Sequence, residues 1–312
     1  MTARDQIPFR VRPMLATLGQ GPFDKPGWAY EEKYDGYRIL AYKEGAHVTL
    51  LSRNSKDRTL MFSSVAKAVA NLPPRTLLLD GEVVAFDRQG ISRFQLLQNL
   101  KSEPKYAVFD CLYRDGLDLR AEPLTIRRSA LEEIMGKTDR RRSEVFLSVM
   151  LAANGLKAFD IAKRKGYEGV VAKNKSAPYI EGRSNNWLKV KVHQEDEFIV
   201  VGYTAPAGSR RYFGALLLGA YEQEKIQYVG KVGTGFTQES LARLFRTFQP
   251  FVRTRPAVVD PPPEKSVTYL APRLVAQIAY KEWTDDRKLR QPVFLGLRDD
   301  KRPRDVTLPE AK

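Results

Sequence analysis

The chain has 312 residues, of which 43 % are apolar and 29 % charged, enough for two packed domains and too apolar for a disordered or fibrous protein. Its formal net charge is +15, with 33 basic against 22 acidic residues in 1–193 and 19 against 15 in the remainder, so the surplus is not one detachable tail and a polyanion, most simply nucleic acid, is the expected partner. A single cysteine, Cys111, excludes an internal disulfide and a Cys-cluster zinc site, and two histidines, His47 and His193, leave little for a His-based metal centre or a Ser-His-Asp triad.

The start, Met1–Gln6, lacks a hydrophobic signal region, and no apolar run approaches membrane-spanning length, so an intracellular protein with no membrane association is expected. Residues 7–27 carry Pro8, Pro13, Pro22 and Pro26 with Gly19, Gly21 and Gly27, too much punctuation for a long element. Then comes Glu31-Glu32-Lys33-Tyr34-Asp35-Gly36-Tyr37-Arg38, between the apolar runs Trp28–Tyr30 and Ile39–Tyr42. This reads as strand, tight loop, strand, with Lys33 at the loop. A lysine so placed is either a solvated strand end or a nucleophile, since a neutral amine can attack phosphorus or a carbonyl. Tyr37–Lys43 and His47–Ser52 read as a hairpin ending in the polar tip Ser52-Arg53-Asn54.

Residues 64–71 read as a short helix stopped by Pro73-Pro74. Leu77–Leu79 and Val83–Phe86 are strand halves interrupted by Asp80-Gly81-Glu82, and a carboxylate there is costly unless something binds it. Tyr106–Leu112 is a further strand, interrupted by Asp110; Arg127–Met135 and Leu156–Lys165 are amphipathic helices. The run Asp139-Arg140-Arg141-Arg142 between them reads as a solvated loop. Glu168 precedes the short strand Gly169–Lys173, Tyr179–Ser184 is a turn, and Trp187–Val192 is a strand with Lys189 and Lys191 on one face.

Composition shifts near residue 193. Glu197–Tyr203, Ala215–Tyr221, Ile226–Val232 and Leu274–Trp283 are strands, and Gln238–Phe248 is a helix. Short strands with one helix fit a small Greek-key barrel of the oligonucleotide-binding type; an SH3-like barrel reads similarly. The fold class is therefore α+β, with domains at 1–193 and 194–312.

Taken in order, Lys33-Tyr34-Asp35-Gly36, Ser52-Arg53-Asn54, Asp80-Gly81-Glu82, Tyr106–Leu112, Glu168–Lys173, Trp187–Lys191 and the tail from Arg290-Gln291-Pro292-Val293-Phe294 to Arg298-Asp299-Asp300-Lys301 resemble the motifs of the covalent nucleotidyltransferase superfamily, most closely ATP-dependent DNA ligases of the bacterial end-joining type. The tail departs from the pattern at Gln291, where a histidine or an aromatic residue is expected. The resemblance implies an adenylation (nucleotidyltransferase, ATP-grasp-like) domain with antiparallel sheets, followed by an OB-fold β-barrel domain. It implies that Lys33 attacks the α-phosphate of ATP and carries AMP. Glu31, Arg38, Arg53, Glu82, Phe109, Arg183, Lys189 and Lys191 would bind the nucleotide or the nick phosphate. Phe109 would stack on adenine, and Lys189 and Lys191 would meet the α-phosphate. Glu168, with Glu82, would hold Mg2+ or Mn2+, as expected where carboxylates, phosphates and water are the available ligands. Arg298, Asp299 and Lys301 would orient the pyrophosphate. Nicked double-stranded DNA is the implied partner, with a Ku-like end-binding protein, and the chain would work as a monomer in the cytoplasm with the nucleoid. Two alternatives stay open: an RNA ligase or GTP-using capping-type enzyme, and a non-enzymatic nucleic-acid-binding module that would leave Lys33, Glu82 and Glu168 without a purpose.

Overall fold

The computed structural model describes residues 7–98, 102–192, 194–264 and 266–308, so Met1–Gln6 and His193 lie outside the described residues. The chain divides into two compact units, Met1–Val192 and His193–Lys312. Among the described residues no helix is long and apolar enough to cross a membrane.

The first unit opens on β1 (Met14–Leu18), β2 (Trp28–Lys33), β3 (Tyr37–Glu44) and β4 (His47–Ser52), then α1 (Ser63–Ala70), β5 (Thr76–Val84), α2 (Phe94–Gln98), β6 (Lys105–Arg114) and β7 (Leu117–Asp118). It continues through α3 (Leu124–Met135), β8 (Val145–Leu147), β9 (Met150–Ala152), α4 (Gly155–Lys165), β10 (Gly169–Asn174) and β11 (Gly182–Lys191). Two sheets result. One runs β1-β11-β10-β2-β9, the other β4-β3-β5-β6-β7 with β8 added beside β6. The expected antiparallel sheets are mixed: β1 pairs with β11, and β8 with β6, in parallel. Such pairings need long connections and leave no local turn signal, which is why the strand at Met14–Leu18 is hidden within a stretch rich in proline and glycine.

Side-chain alternation assigns each sheet face. Tyr37, Ile39 and Ala41 of β3 face outward to α1, packing with Val65 and Val69, whereas Leu40 and Tyr42 face the other way with Phe109, Leu112, Tyr179 and Trp187. That second cluster draws from both sheets, so a shared apolar layer lies between them. α4 covers the far side of the first sheet, where Ala158 and Ala162 pack on Tyr30, Val170 and Ala172. It is well delimited: the Asn154 side chain accepts from the Lys157 N–H, and Gly166 closes it in the left-handed region.

The second unit comprises β12 (Glu195–Thr204), β13 (Leu216–Glu222), β14 (Lys225–Val232), α5 (Gln238–Phe248), β15 (Val252–Arg253), β16 (Val258–Val259), β17 (Val267–Ala279), β18 (Glu282–Trp283), β19 (Leu289–Arg290) and β20 (Val293–Leu297). Its main sheet runs β15-β17-β12-β13-β14-β16, with β20 also on β17. This ladder does not close on itself among the described residues: its end strands, β15 and β16, do not pair with each other. Leu241, Leu244 and Phe248 of α5 seat on the sheet's core.

Between Lys33 and Arg38 the chain presses against β5. A Cβ at Gly36 would lie 2.1 Å from the Val83 carbonyl oxygen. Gly36→Ala should therefore destabilise the first unit by about 1–3 kcal/mol, the usual cost of overpacking; an unchanged urea midpoint would show that β5 yields to the methyl group.

Candidate active site

Antiparallel pairing places directly opposed residues on the same face of a sheet. Gly169 stands opposite both Lys33 and Lys191, Val171 opposite Glu31 and Lys189, and Lys173 opposite Ala29 and Trp187. One face of the first sheet thus carries Glu31, Lys33, Lys173, Lys189 and Lys191, drawn from three strands. The Lys33 ammonium pairs with Glu168, the residue just before β10. Both side chains are mostly buried, and the second Glu168 oxygen, Oε2, is buried with no hydrogen-bond partner. Gly169 lets β11 run close beside β10, since a Cβ there would meet the Val190 carbonyl oxygen at 2.2 Å.

Deeper on the same face, Lys173 donates to Glu31 Oε2 at 3.0 Å, Ser148 Oγ donates to the same oxygen at 2.8 Å, and Arg128 stands 3.7 Å from Oε1. The Lys173 ammonium lies 4.3 Å from the Phe109 ring centroid and 4.4 Å from that of Trp187. Burial holds its pKa below the ordinary lysine value, against the pull of Glu31 and Asp110. Lys173 and Ser148, which the sequence reading did not single out, join Glu31 on this face. The signal for Lys173 was its alternation with Gly169 and Val171; Ser148 carried none.

On the second sheet, Arg38 stands opposite Glu82. Its Nε and Nη2 donate to Asp80 at 2.5 and 2.6 Å, and Nη2 also donates to the Met14 carbonyl at 3.1 Å. The Tyr179 hydroxyl donates to Asp80 at 2.6 Å and accepts the Met14 N–H at 2.8 Å. Asp80 is fully buried, and the guanidinium fork neutralises it. Phe109 is a buried member of the layer between the sheets, edge-on to Trp187 at 5.8 Å, with Arg38 4.5 Å and Lys173 4.3 Å from its centroid. Asp110 beside it is paired with the fully buried Arg127 at 2.7 and 3.0 Å.

The other expected residues are more scattered. Lys189 and Lys191 are half-buried on the Lys33 face, and Glu82 is half-buried on the Arg38 face. Arg53 follows the end of β4 and is half-buried. Arg183 is exposed at the opposite end of β11 from Lys189 and Lys191, donating to the Ala16 carbonyl at 3.0 Å. Within the second unit, Arg298 is buried and forms a fork with Asp300 at 2.8 and 2.9 Å, with Gln277 at 3.2 Å. These contacts hold its guanidinium within the unit. The acidic partner in the tail is Asp300, while Asp299 is exposed and Lys301 pairs with Glu197 at 3.0 Å.

The sequence model described as "ATP dependent DNA ligase domain" matches residues 13–191, and that described as "ATP dependent DNA ligase C terminal region" matches residues 209–301. The chain belongs to the ATP-dependent DNA ligase family. It is 39 % identical, over 96 % of its length, to the multifunctional non-homologous end joining protein LigD of Pseudomonas aeruginosa, and 35 % identical, over 97 %, to that of Mycobacterium tuberculosis. It spans about two-fifths of the length of these curated relatives (37 % and 41 %). A structure of mycobacterial DNA ligase D complexed with ATP and MES matches it with a TM-score of 0.71 at 32 % identity, covering 96 % of this chain and 98 % of that one. The crystal structure of the ligase domain of M. tuberculosis LigD matches over the same shares with a TM-score of 0.53 at 32 % identity. The two units of this ligase-family chain are accordingly a nucleotidyltransferase domain and an OB-fold domain.

A divalent metal fits this ligase site only in one form. Among the described residues no group of three or more His, Cys, Asp or Glu side chains gathers to hold a cation. Magnesium bound by one carboxylate together with substrate phosphates needs no such group, and on the Lys33 face Glu168 Oε2 is a buried oxygen without a hydrogen-bond partner. Glu82 belongs to the other sheet.

On the opposite face of β2, burial pushes the Glu32 carboxyl up to about 7, against the Arg140 guanidinium 2.6 Å away. A carboxyl raised on folding contributes stability that is complete below its ordinary value and is lost as pH rises through its folded value. Relative to Glu32→Gln, the wild-type melting temperature should fall between pH 4.5 and about 7; a flat difference across that range would show that Arg140 keeps the carboxylate ionised.

Proposed function

We propose that the chain seals 5′-phosphate/3′-hydroxyl breaks in double-stranded DNA with ATP, through a lysyl-AMP intermediate. The observation that carries this reading is the Lys33–Glu168 pair, set by strand register into a face that also bears Lys189 and Lys191. In the first step the Lys33 amine attacks the α-phosphorus; a P–N bond forms, the P–O bond to pyrophosphate breaks, and the ammonium proton must leave. Glu168 touches that ammonium and is the acceptor at hand. Lys189 and Lys191 lie on the same face and would neutralise charge on the phosphate oxygens. A bound Mg2+ would supply further charge neutralisation at the phosphates and would be held by Glu168. In the second step an oxygen of the DNA 5′-phosphate displaces the amine, which leaves protonated. In the third the 3′-hydroxyl attacks that phosphate and AMP departs.

The buried Glu31–Lys173 pair offers an acceptor and a donor at the bottom of the same face, where a planar base could be read by its edge. Phe109 would then form part of the base site only if one of its flanking cations shifts. The excess positive charge suits a duplex partner whose affinity falls with salt. Nicked duplex DNA, a Ku-like end-binding partner, monomeric action, and a place in the cytoplasm with the nucleoid complete the proposal, as does use of Arg298, Asp299 and Lys301 toward pyrophosphate.

Incubation with α-labelled ATP or GTP tests it. Label should enter the protein from ATP, and Lys33→Arg should abolish it because a guanidinium stays protonated. Glu168→Gln should slow labelling by about 100-fold or more, the range for a lost acid–base group. Preferential labelling from GTP, or wild-type labelling of either variant, contradicts the assignment.

A further inference from the structure

The loop between α3 and β8 holds the run Asp139-Arg140-Arg141-Arg142, which by sequence alone reads as solvated. The structure separates its members. Asp139 folds the loop into a turn, accepting the Arg141 N–H on its side chain at 2.8 Å and the Arg142 and Ser143 N–H groups on its carbonyl at 3.0 and 2.8 Å. Lys105 ties the loop down by donating to the Arg141 carbonyl at 2.7 Å. Arg141 and Arg142 point into solvent, but Arg140 turns inward.

There Arg140 meets three segments that flank the reacting pair. Its Nη1 donates to Glu32, the residue before Lys33, at 2.6 Å, and the Glu32 side chain is fully buried. Its Nη2 donates to the Gly90 carbonyl at 2.5 Å. Gly90 leads into Ser92 and Phe94, whose hydroxyl and N–H engage the backbone N–H and carboxylate of Asp35, two residues after Lys33, each at 3.0 Å. The guanidinium also lies 4.6 Å from the Phe86 ring and 5.7 Å from the ring of Tyr167, the residue before Glu168. One side chain therefore reaches the residue preceding the lysine, the segment that holds the chain following it, and the residue preceding the glutamate. A guanidinium suits this geometry because its fork and flat faces satisfy several directions at once, which an ammonium cannot.

We infer that Arg140 is a positioning residue for the Lys33–Glu168 pair, fixing from behind the sheet the register in which amine and carboxylate meet. The inference rests on the proposed function, since it assigns the residue to the steps in which the Lys33–AMP bond is made and broken. Displacement of about 1 Å by a change away from the chemistry can cost about 100-fold in rate. The third step, attack of the 3′-hydroxyl on an already adenylylated end, does not use the Lys33 amine as nucleophile or leaving group.

Single-turnover assays of the whole chain distinguish this role from a merely structural one. Arg140→Ala should slow labelling by ATP at saturating concentration by about 10- to 100-fold, leave the ATP concentration for half-maximal rate within about twofold, and leave the sealing of a synthetic pre-adenylylated nick within about twofold of wild type. Because Arg140→Ala strands the buried Glu32 charge, the double variant Arg140→Met with Glu32→Gln is assayed beside it. It removes both charges, keeps an apolar group against Phe86, and should regain the wild-type melting temperature while keeping the slow labelling. Equal slowing of all steps, wild-type labelling by Arg140→Ala, or recovery of labelling in the double variant would each overturn the inference. A wild-type protein that takes no label from ATP would instead remove the functional reading and the inference with it.

Discussion

The contact between the Lys33 ammonium and Glu168 depends on nothing local to either residue. The two are 135 positions apart in the chain and meet only because β2 and β10 pair antiparallel with Gly169 opposite Lys33. A slip of one residue in that register would turn Lys33 to the α4 side and replace it on the inner face by Glu32. The remainder of the nucleotidyltransferase domain can be understood as holding this register. Gly169 allows β11 close enough to bring Lys191 onto the same row. The α4 face packs Tyr30, Val170 and Ala172, so a slipped strand would also expose apolar surface.

Buried charge is the second organising feature. Arg127–Asp110, Arg38–Asp80, Lys173–Glu31 and Arg140–Glu32 are all ion pairs with at least one partner almost wholly withdrawn from water. Desolvation makes such pairs poor sources of net stability, yet removing one partner is costly, so they fix geometry more than they add strength. Three of them join segments far apart in sequence. Arg38–Asp80 also gathers Met14 and Tyr179, which ties the edge strand β1 and the segment before β11 to the second sheet. The layer between the sheets is thus apolar at its base and charged where the reacting groups stand.

Much of this was legible from the residues. The hairpin at Tyr37–Ser52, the helix at Gln238–Phe248 and the lysine alternation on β11 follow from short-range periodicity, and the structure has them at those positions. The candidate residues Lys33 and Glu168 are in contact, and Lys189 and Lys191 share their face. What stayed hidden depends on distant partners. The parallel strand β1 has no adjacent mate in sequence. The Gln277 partner of Arg298 could be matched to it only through the pairing of β17 with β20. Arg140 looked solvated because the carboxylate that draws it inward is 108 residues away. Phe109 looked like an isolated aromatic because the two cations beside it come from β3 and β10.

The account turns on Lys33 as the atom that carries the nucleotide, and locating that bond tests it most directly. Protein incubated with ATP is digested, and the adenylylated peptide is identified by mass spectrometry, with the stability of its linkage followed in acid and in base. The account predicts AMP on the peptide bearing Lys33, in a linkage that acid cleaves and base spares, as a phosphoramidate requires. AMP on another residue, or no covalent nucleotide on a protein that nonetheless seals DNA, would contradict it.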